Sequence, residues 1–439
     1  MKRGLIGLFV AKAVSAVGTK MSFLAVPWFV LVTSGSAART GFVAFAEMLP
    51  YVLVCAFGGP VIDRLGARRI GVIADLGSAL AVAAIPILHR GPGLSFPVLV
   101  ALVAALGLLR GFGDSAKRVL LPRAVEISGV PMTRATSIQD GIFRLSTLLG
   151  APLAGVLIAA FDAPTVLLID AATFLVASVL VGSLVPRAEK VAGEPYLRAL
   201  KAGWRFVRRD RLILAVALMI FMTNLLDQAY AAVLMPVWGR DVVGSVTAVG
   251  LLWGLFGAGA VAGNVVFTVL APKLPRYTTF AVGFLIAGAP RFVVPALTDE
   301  VWIVCVMAVV SGFAIAGVNP VLGAAQYERV PKEMHARVLG ASMAISWGGI
   351  PLGGLIGGWV VEELSLTAAF WIFGALYLAT TVTPFLLPVW KEMDDPVSTG
   401  DGHEDAEQDE GHGGYREDEQ QVAPAIAGGG GGSGRRLGG

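Results

Sequence analysis

The sequence predicts an all-α integral membrane protein of twelve transmembrane helices in two pseudo-symmetric six-helix halves. Composition, the length and spacing of the apolar runs, and an internal repeat together predict this class. Of the 439 residues, 56% are hydrophobic and 15% charged, whereas a soluble domain carries about 45–50% and about 25%. The net charge is only +3, and the basic residues are spread over short loops, so no basic face for nucleic acid is formed. Cys55 and Cys305 both sit in apolar runs and read as small buried hydrophobes.

The first apolar run follows Lys2 and Arg3 and covers about 5–32. A secretion signal has an apolar region of about 7–15 residues, so this run is a membrane helix. The others cover about 40–60, 70–88, 95–116, 136–160, 164–185, 211–237, 246–270, 278–297, 301–324, 336–360 and 366–388. Each is near the roughly 20 residues a spanning helix needs. They are too long for strands and lack apolar–polar alternation. Internal Gly and Pro are tolerated because neighbouring helices re-satisfy the freed backbone groups. The chain divides into an N-terminal half (1–185), a connector (186–211), a C-terminal half (212–390) and an acidic, Gly-rich tail (391–439) expected to be disordered.

Loop charge predicts the orientation. If the N-terminus is cytoplasmic, the inner segments hold Arg64, Arg68, Arg69, Lys117, Arg118, Arg123, Arg134, Lys273, Arg276, Arg329 and Lys332, besides a strongly basic connector. The outer loops hold only Arg39, Arg90 and Arg240. This asymmetry puts both termini in the cytoplasm of a plasma-membrane protein. The connector, which carries Trp204 and Phe206, reads as an amphipathic segment near the anionic inner leaflet.

The halves repeat each other. LAVPWFVL (24–31) matches VLMPVWGR (233–240) around Pro27 and Pro236, and the same offset pairs Gly41 with Gly250. GAPLAG (150–155) matches GIPLGG (349–354), which makes Gly150, Pro152, Gly155, Pro351, Gly353 and Gly354 a candidate helix-packing motif. Internal repeats on apolar spans are a transporter signature, with the site at the repeat interface.

One loop carries a more specific signal. GGPVIDRLGARRI (58–70) joins the second and third spans. Gly59, Asp63, Arg64, Gly66 and Arg68 resemble the signature loop of the major facilitator superfamily, with Ala67 departing from the basic residue common there. Residues 114–182 are similar to its drug-exporting, macrolide-efflux and enterobactin-exporter branch. GAPLAG stands where that branch often has GPxxGG, with Ala151 inserted and one glycine fewer. The resemblance implies the major facilitator fold, alternating access, proton antiport and a gating acid, Asp63, that holds the cytoplasmic side closed against the other half. A solvated turn with topology-setting arginines is the simpler reading of the same loop. Asp63 could also sit at a helix N-terminus, which favours an anion by about 0.3–1 kcal/mol.

Charge at the bilayer centre costs roughly 2.5–3.5 kcal/mol, so each intramembrane charge requires a partner, a cavity or a function. Lys12, Arg110, Asp140 and Arg144 are expected in a cytoplasmic layer, and Lys20, Glu47 and Asp227 near the middle or outer half. Asp140 and Arg144 share a helix face and read as a self-neutralising pair or a gating element. Asp170 reads as a packed, hydrogen-bonded acid, and Asp75 as a charge at a helix start. The first and seventh helices face each other in the implied fold, so Lys20 is expected to pair with Asp227 or Glu47. Protonation of that acid would then couple to transport; a static ion pair is the alternative. Trp28, Asn224, Gln228, Tyr230, Trp253, Asn319 and Trp347 are candidates for the substrate cavity.

No phosphate loop, metal set or hydrolase elbow occurs, and His89, His335, His403 and His412 are scattered, so neither an enzyme nor a cofactor is expected. The expected function is export of a small, largely apolar compound (an antibiotic, drug-like molecule or siderophore) by a monomer using protons. A proton-coupled importer of a nutrient or metabolite shares the fold, and a non-transporting scaffold is the third reading.

Overall fold

The computed structural model describes residues 2–186, 196–331 and 334–394. The tail expected beyond residue 391 therefore falls almost wholly outside the described residues. Twelve helices are long and apolar enough to cross a membrane: spans 1 to 12 are Arg3–Ser34, Ala37–Phe57, Ala67–Arg90, Phe96–Ser128, Met132–Ala160, Ala163–Leu184, Arg211–Val243, Val246–Leu270, Arg276–Leu297, Val301–Arg329, Arg337–Glu363 and Leu366–Leu386. Each expected span is present. Span 4 runs well past its expected end, through Lys117, Arg118 and Arg123, until Gly129 closes it at φ 69°. Many large apolar side chains point outward, as lipid requires, among them Val269, Leu386 and Trp302.

Local chemistry fixes the starts. Ser36, Asp162, Asp210, Ser245 and Ser365 each accept the backbone N–H three residues ahead and cap spans 2, 6, 7, 8 and 12. Asp162 also meets Arg90. Despite some burial, bonds from Thr165 and Arg90 hold its carboxyl below the ordinary range. Span 7 is irregular. It widens into π-helical turns at Tyr230–Leu234 and Gly239–Val243, on either side of Pro236. A proline has no N–H and crowds the carbonyl four residues back, and a wider turn relieves both.

The packing repeats. In the first half, span 1 packs on 5 and 6, span 2 on 4, and span 3 on 4 and 6. In the second, span 7 packs on 11, span 8 on 10, and span 9 on 10 and 12. The halves join through spans 2 and 11 and through spans 5 and 8. Both joins use glycine from the two sequence repeats. A Cβ on Gly41 would stand 2.2 Å from the Gly354 carbonyl oxygen, and one on Gly250 would stand 2.7 Å from that of Ala151 and 3.1 Å from the Gly155 Cα. Gly150 and Gly353 serve inside each half: a Cβ there would meet Lys20 of span 1 at 2.3 Å and the Leu225 carbonyl of span 7 at 2.0 Å. Pro152 lies against Gly254, and Pro351 is buried within span 11.

The seam is closed at one end only. At the end carrying the odd-numbered connections, Glu362 accepts from Ser36 Oγ and the Ala38 N–H, both 3.2 Å, and Arg240 donates to the Leu31 carbonyl at 2.9 Å. At the other end, span 5 is exposed on nearly every side from Met132 to Leu145, with Ala135 alone buried. A Cβ on Gly141 of span 5 or Gly340 of span 11 would meet nothing within 4 Å. The halves therefore part at the even-loop end.

Candidate transport site

Among the described residues, four sets of hydrogen-bonded or paired charge lie inside the helical body. Glu47 of span 2 and Arg110 of span 4 form an ion pair at 2.6 Å, each side chain 7% exposed. The guanidinium also stands 5.1 Å from the centre of the Tyr51 ring. Gly107 makes this possible, because a Cβ there would lie 1.9 Å from the Glu47 carbonyl oxygen. Tyr51 donates to Asp114 at 3.3 Å and stacks on Trp347 of span 11 at 6.3 Å, which links the pair to the opposite half.

Lys117 donates to Asp75 at 2.8 Å and to Ser15 at 3.1 Å, fully inside the first half. Asp75 lies eight residues into span 3, so it is not the helix-start charge expected from sequence; Lys117 of span 4 neutralises it. Asp170 accepts from Ser22 and Thr173 and is the packed acid expected.

The fourth cluster is in the second half. Arg291 of span 9 donates to Asp227 of span 7. Its guanidinium is surrounded by Tyr230, Phe292 and Tyr377, 5.1–5.3 Å from the ring centres. The two members differ in access: the Arg291 side chain is 9% exposed and that of Asp227 is 43%. The mid-span carboxylate thus keeps open surface, while its cation is packed among rings.

The expected Lys20 pairings are therefore corrected. Arg110 holds Glu47 and Arg291 holds Asp227, and Lys20 points over Phe143 at 5.2 Å and Phe23 at 6.0 Å. A lysine over a ring face gains from the aromatic quadrupole. Arg110 also shares a layer with Glu47, against the two-layer expectation. Arg291 was absent from the sequence reading; a single arginine after Pro290 in an otherwise apolar run was the available signal. Asp140 and Arg144 do pair, at 2.7 Å and partly exposed, in the open stretch of span 5.

The cavity candidates scatter. Tyr230 touches Trp253 at 6.1 Å edge-on, and with Phe256, Arg291 and Ser311 they line a narrow cavity between spans 7, 8, 9 and 10. Asn224 donates to the Ser346 carbonyl of span 11 at 2.9 Å, and Gln228 is buried. Trp28 lies at the closed end against Gly239, and Asn319 is exposed at the break in span 10. In the signature loop, Gly59 to Leu65 forms a short helix, and Gly66 turns into span 3 at φ 90°. Asp63 and Arg64 are exposed, and Arg68 donates to the Gly182 carbonyl of span 6. Asp63 lies in the body of the short helix, not at an N-terminus, and meets no cation among the described residues.

Among the described residues, twelve membrane-length spans in two halves of repeated packing make up a multi-pass membrane protein of the major facilitator fold. Residues 5–408 match the transmembrane secretion effector family, and the chain belongs to it. It is 27% identical over 398 residues to the multidrug efflux pump Tap of Mycobacterium tuberculosis, covering 88% of this chain and 93% of that one. Tap of Mycolicibacterium fortuitum is 27% identical over 407 residues, 90% and 98% of the two chains. A nucleoside transporter NupG mutant superposes with a TM-score of 0.73 at 14% identity, over 87% of this chain and 99% of that one.

Proposed function

We propose that the protein exports a small, largely apolar compound from the cytoplasm by proton antiport, acting as a monomer with both termini cytoplasmic. The observation that carries the coupling is the unequal Asp227–Arg291 pair. In this reading a proton entering along water reaches Asp227, loosens its hold on Arg291 and changes how spans 7 and 9 pack. A proton shifts the balance between two conformations only if they bind it with different affinity, and a pair that forms in one and separates in the other supplies that difference. Family membership and the Tap relatives support efflux. The excess of basic residues in even-numbered loops supports the orientation, under which the present state is open to the cytoplasm.

In the same reading, residues 1–185 and 212–390 are the two rocking halves and 186–211 is the link between them. Substrate enters between the halves, where Tyr230, Trp253 and Trp347 offer apolar area that binds without fixed direction. Glu47 stands as the second coupling candidate. Asp63 acts in the outward-open state, when the even-loop end closes.

The test is efflux from proteoliposomes under an imposed pH gradient, beside equilibrium binding of a Tap-type drug panel. Asp227→Asn is expected to abolish gradient-driven efflux and to retain binding. Full gradient-driven efflux by this variant moves coupling to Glu47. Efflux that ignores the gradient in the parent protein removes the antiport reading.

A further inference from the structure

The helix Tyr196–Arg209, which precedes span 7, presents an outer face that no protein element covers among the described residues. Its inner face is anchored. Gly203 sits against the backbone of Arg337 and Val338, where a Cβ would lie 2.1 Å from the Arg337 carbonyl oxygen. Val207 is fully buried with Ile213, Val330, Val338 and Ala341. Asp210, directly after the helix, caps span 7 through the Ile213 N–H and accepts from Arg329 at the end of span 10. These contacts hold the helix level with the ends of spans 7, 10 and 11, at the edge of the apolar slab.

The outer face carries Lys201, Trp204, Arg205, Arg208 and Arg209, which line one shallow concavity. Spacings of three and four place the first four on one side of the helix. All are exposed, and none of the four cations meets an acid among the described residues. Four uncompensated cations around an exposed indole, at the height where a bilayer changes from tails to headgroups, specify the partner's chemistry. Indole rings favour that interface, and long basic side chains reach from apolar surroundings to charged groups.

We propose that this face binds anionic phospholipid headgroups of the leaflet on the even-loop side, with Lys201, Arg205, Arg208 and Arg209 on the phosphates and Trp204 inserted at the glycerol level. The bound lipid completes the outer side of the helix that joins the halves. This site is separate from the transport cavity, and its test does not depend on the direction of transport.

The test uses the full-length chain purified in detergent, titrated with phosphatidylglycerol or phosphatidylcholine, and retained lipid counted by native mass spectrometry. The parent is expected to retain phosphatidylglycerol in preference to phosphatidylcholine. A cation near an anionic surface contributes about fivefold in binding, so K201Q/R205Q/R208Q is expected to lose about a hundredfold in phosphatidylglycerol affinity. R205K/R208K keeps the charge and is expected to keep the lipid. Circular dichroism of each variant is expected to match the parent, because Gly203 and Val207 still dock the helix. Millimolar inorganic phosphate is expected not to displace the lipid. Equal retention by the glutamine variant, equal retention of the two lipids by the parent, or displacement by phosphate overturns the proposal; the first result also fits a protein partner on this face.

Discussion

Gly41 on span 2 and Gly354 on span 11 meet backbone to backbone across the two halves, with no room for a Cβ on Gly41. Any side chain there pushes the spans apart. Overpacking costs about 1–3 kcal/mol, or roughly fivefold to a hundredfold in the balance of states. Gly41→Leu is therefore expected to deplete the state closed at the odd-loop end. A Ser36→Cys/Glu362→Cys pair reports this, since the parent side chains touch at 3.2 Å. Undiminished cross-linking in the Gly41→Leu background would show that the seam tolerates bulk.

The Asp227–Arg291 pair is unequal, so its single variants should be unequal in stability. Removing the partner of a buried charge costs about 3–5 kcal/mol because the remaining charge is stranded. Asp227→Ala strands the sealed arginine, whereas Arg291→Met leaves a carboxylate with open surface beside it. Thermal unfolding in detergent should fall further for Asp227→Ala. The reverse order would mean that ring packing around Arg291, not its charge balance, dominates.

Glu47 and Arg110 are equally sealed. Glu47→Leu and Arg110→Met are each expected to lose about 3–5 kcal/mol. The double variant should recover most of that loss, because neither charge remains. A double variant no more stable than the singles would place Glu47 or Arg110 in a wider network through Tyr51 and Asp114.

Asp63 is exposed and meets no cation in this conformation. Asp63→Asn should therefore leave the unfolding temperature unchanged, within about 0.5 kcal/mol, and reduce efflux, because its partner is expected in the opposite state. Parental efflux by this variant would reduce the loop to a topological turn.

Orientation is tested by labelling exposed positions in intact cells. A Ser95→Cys probe should react with an impermeant maleimide from outside, and an Arg69→Cys probe should not. Labelling at Arg69 inverts the topology.

The spans were legible because each apolar run is self-contained: length and composition suffice. The glycine seam was legible in part, since GAPLAG and GIPLGG stand out, and the structure places both on the joins between halves. The pairing of charges was not legible. The facing of the first and seventh helices in the implied fold points Lys20 toward Asp227, yet the acids are held by Arg110 and Arg291 on spans 4 and 9. Partner choice depends on which spans are lateral neighbours and how each is rotated, and neither property is local in sequence. Asp75 shows the same limit: its place in the sequence suggests a charge at a helix start, while Lys117, forty-two residues later, pairs with it inside the first half.

The paired π turns of span 7 alter the phase of that helix. Each widened turn takes in about one extra residue, and one residue corresponds to about 100° of rotation. The segment after Leu234 is therefore out of step with the α-helical progression set by Asp227. Arg240, the residue that latches onto span 1, lies inside the second wide turn. Span 7 is thus two angular sectors joined through a wide turn, not one continuous α-helix. Tightening the turn at Tyr230–Leu234 would twist the latch relative to the carboxylate and lengthen the span slightly. A change in winding at this turn therefore converts a local rearrangement near Asp227 into a rotation of the latch end.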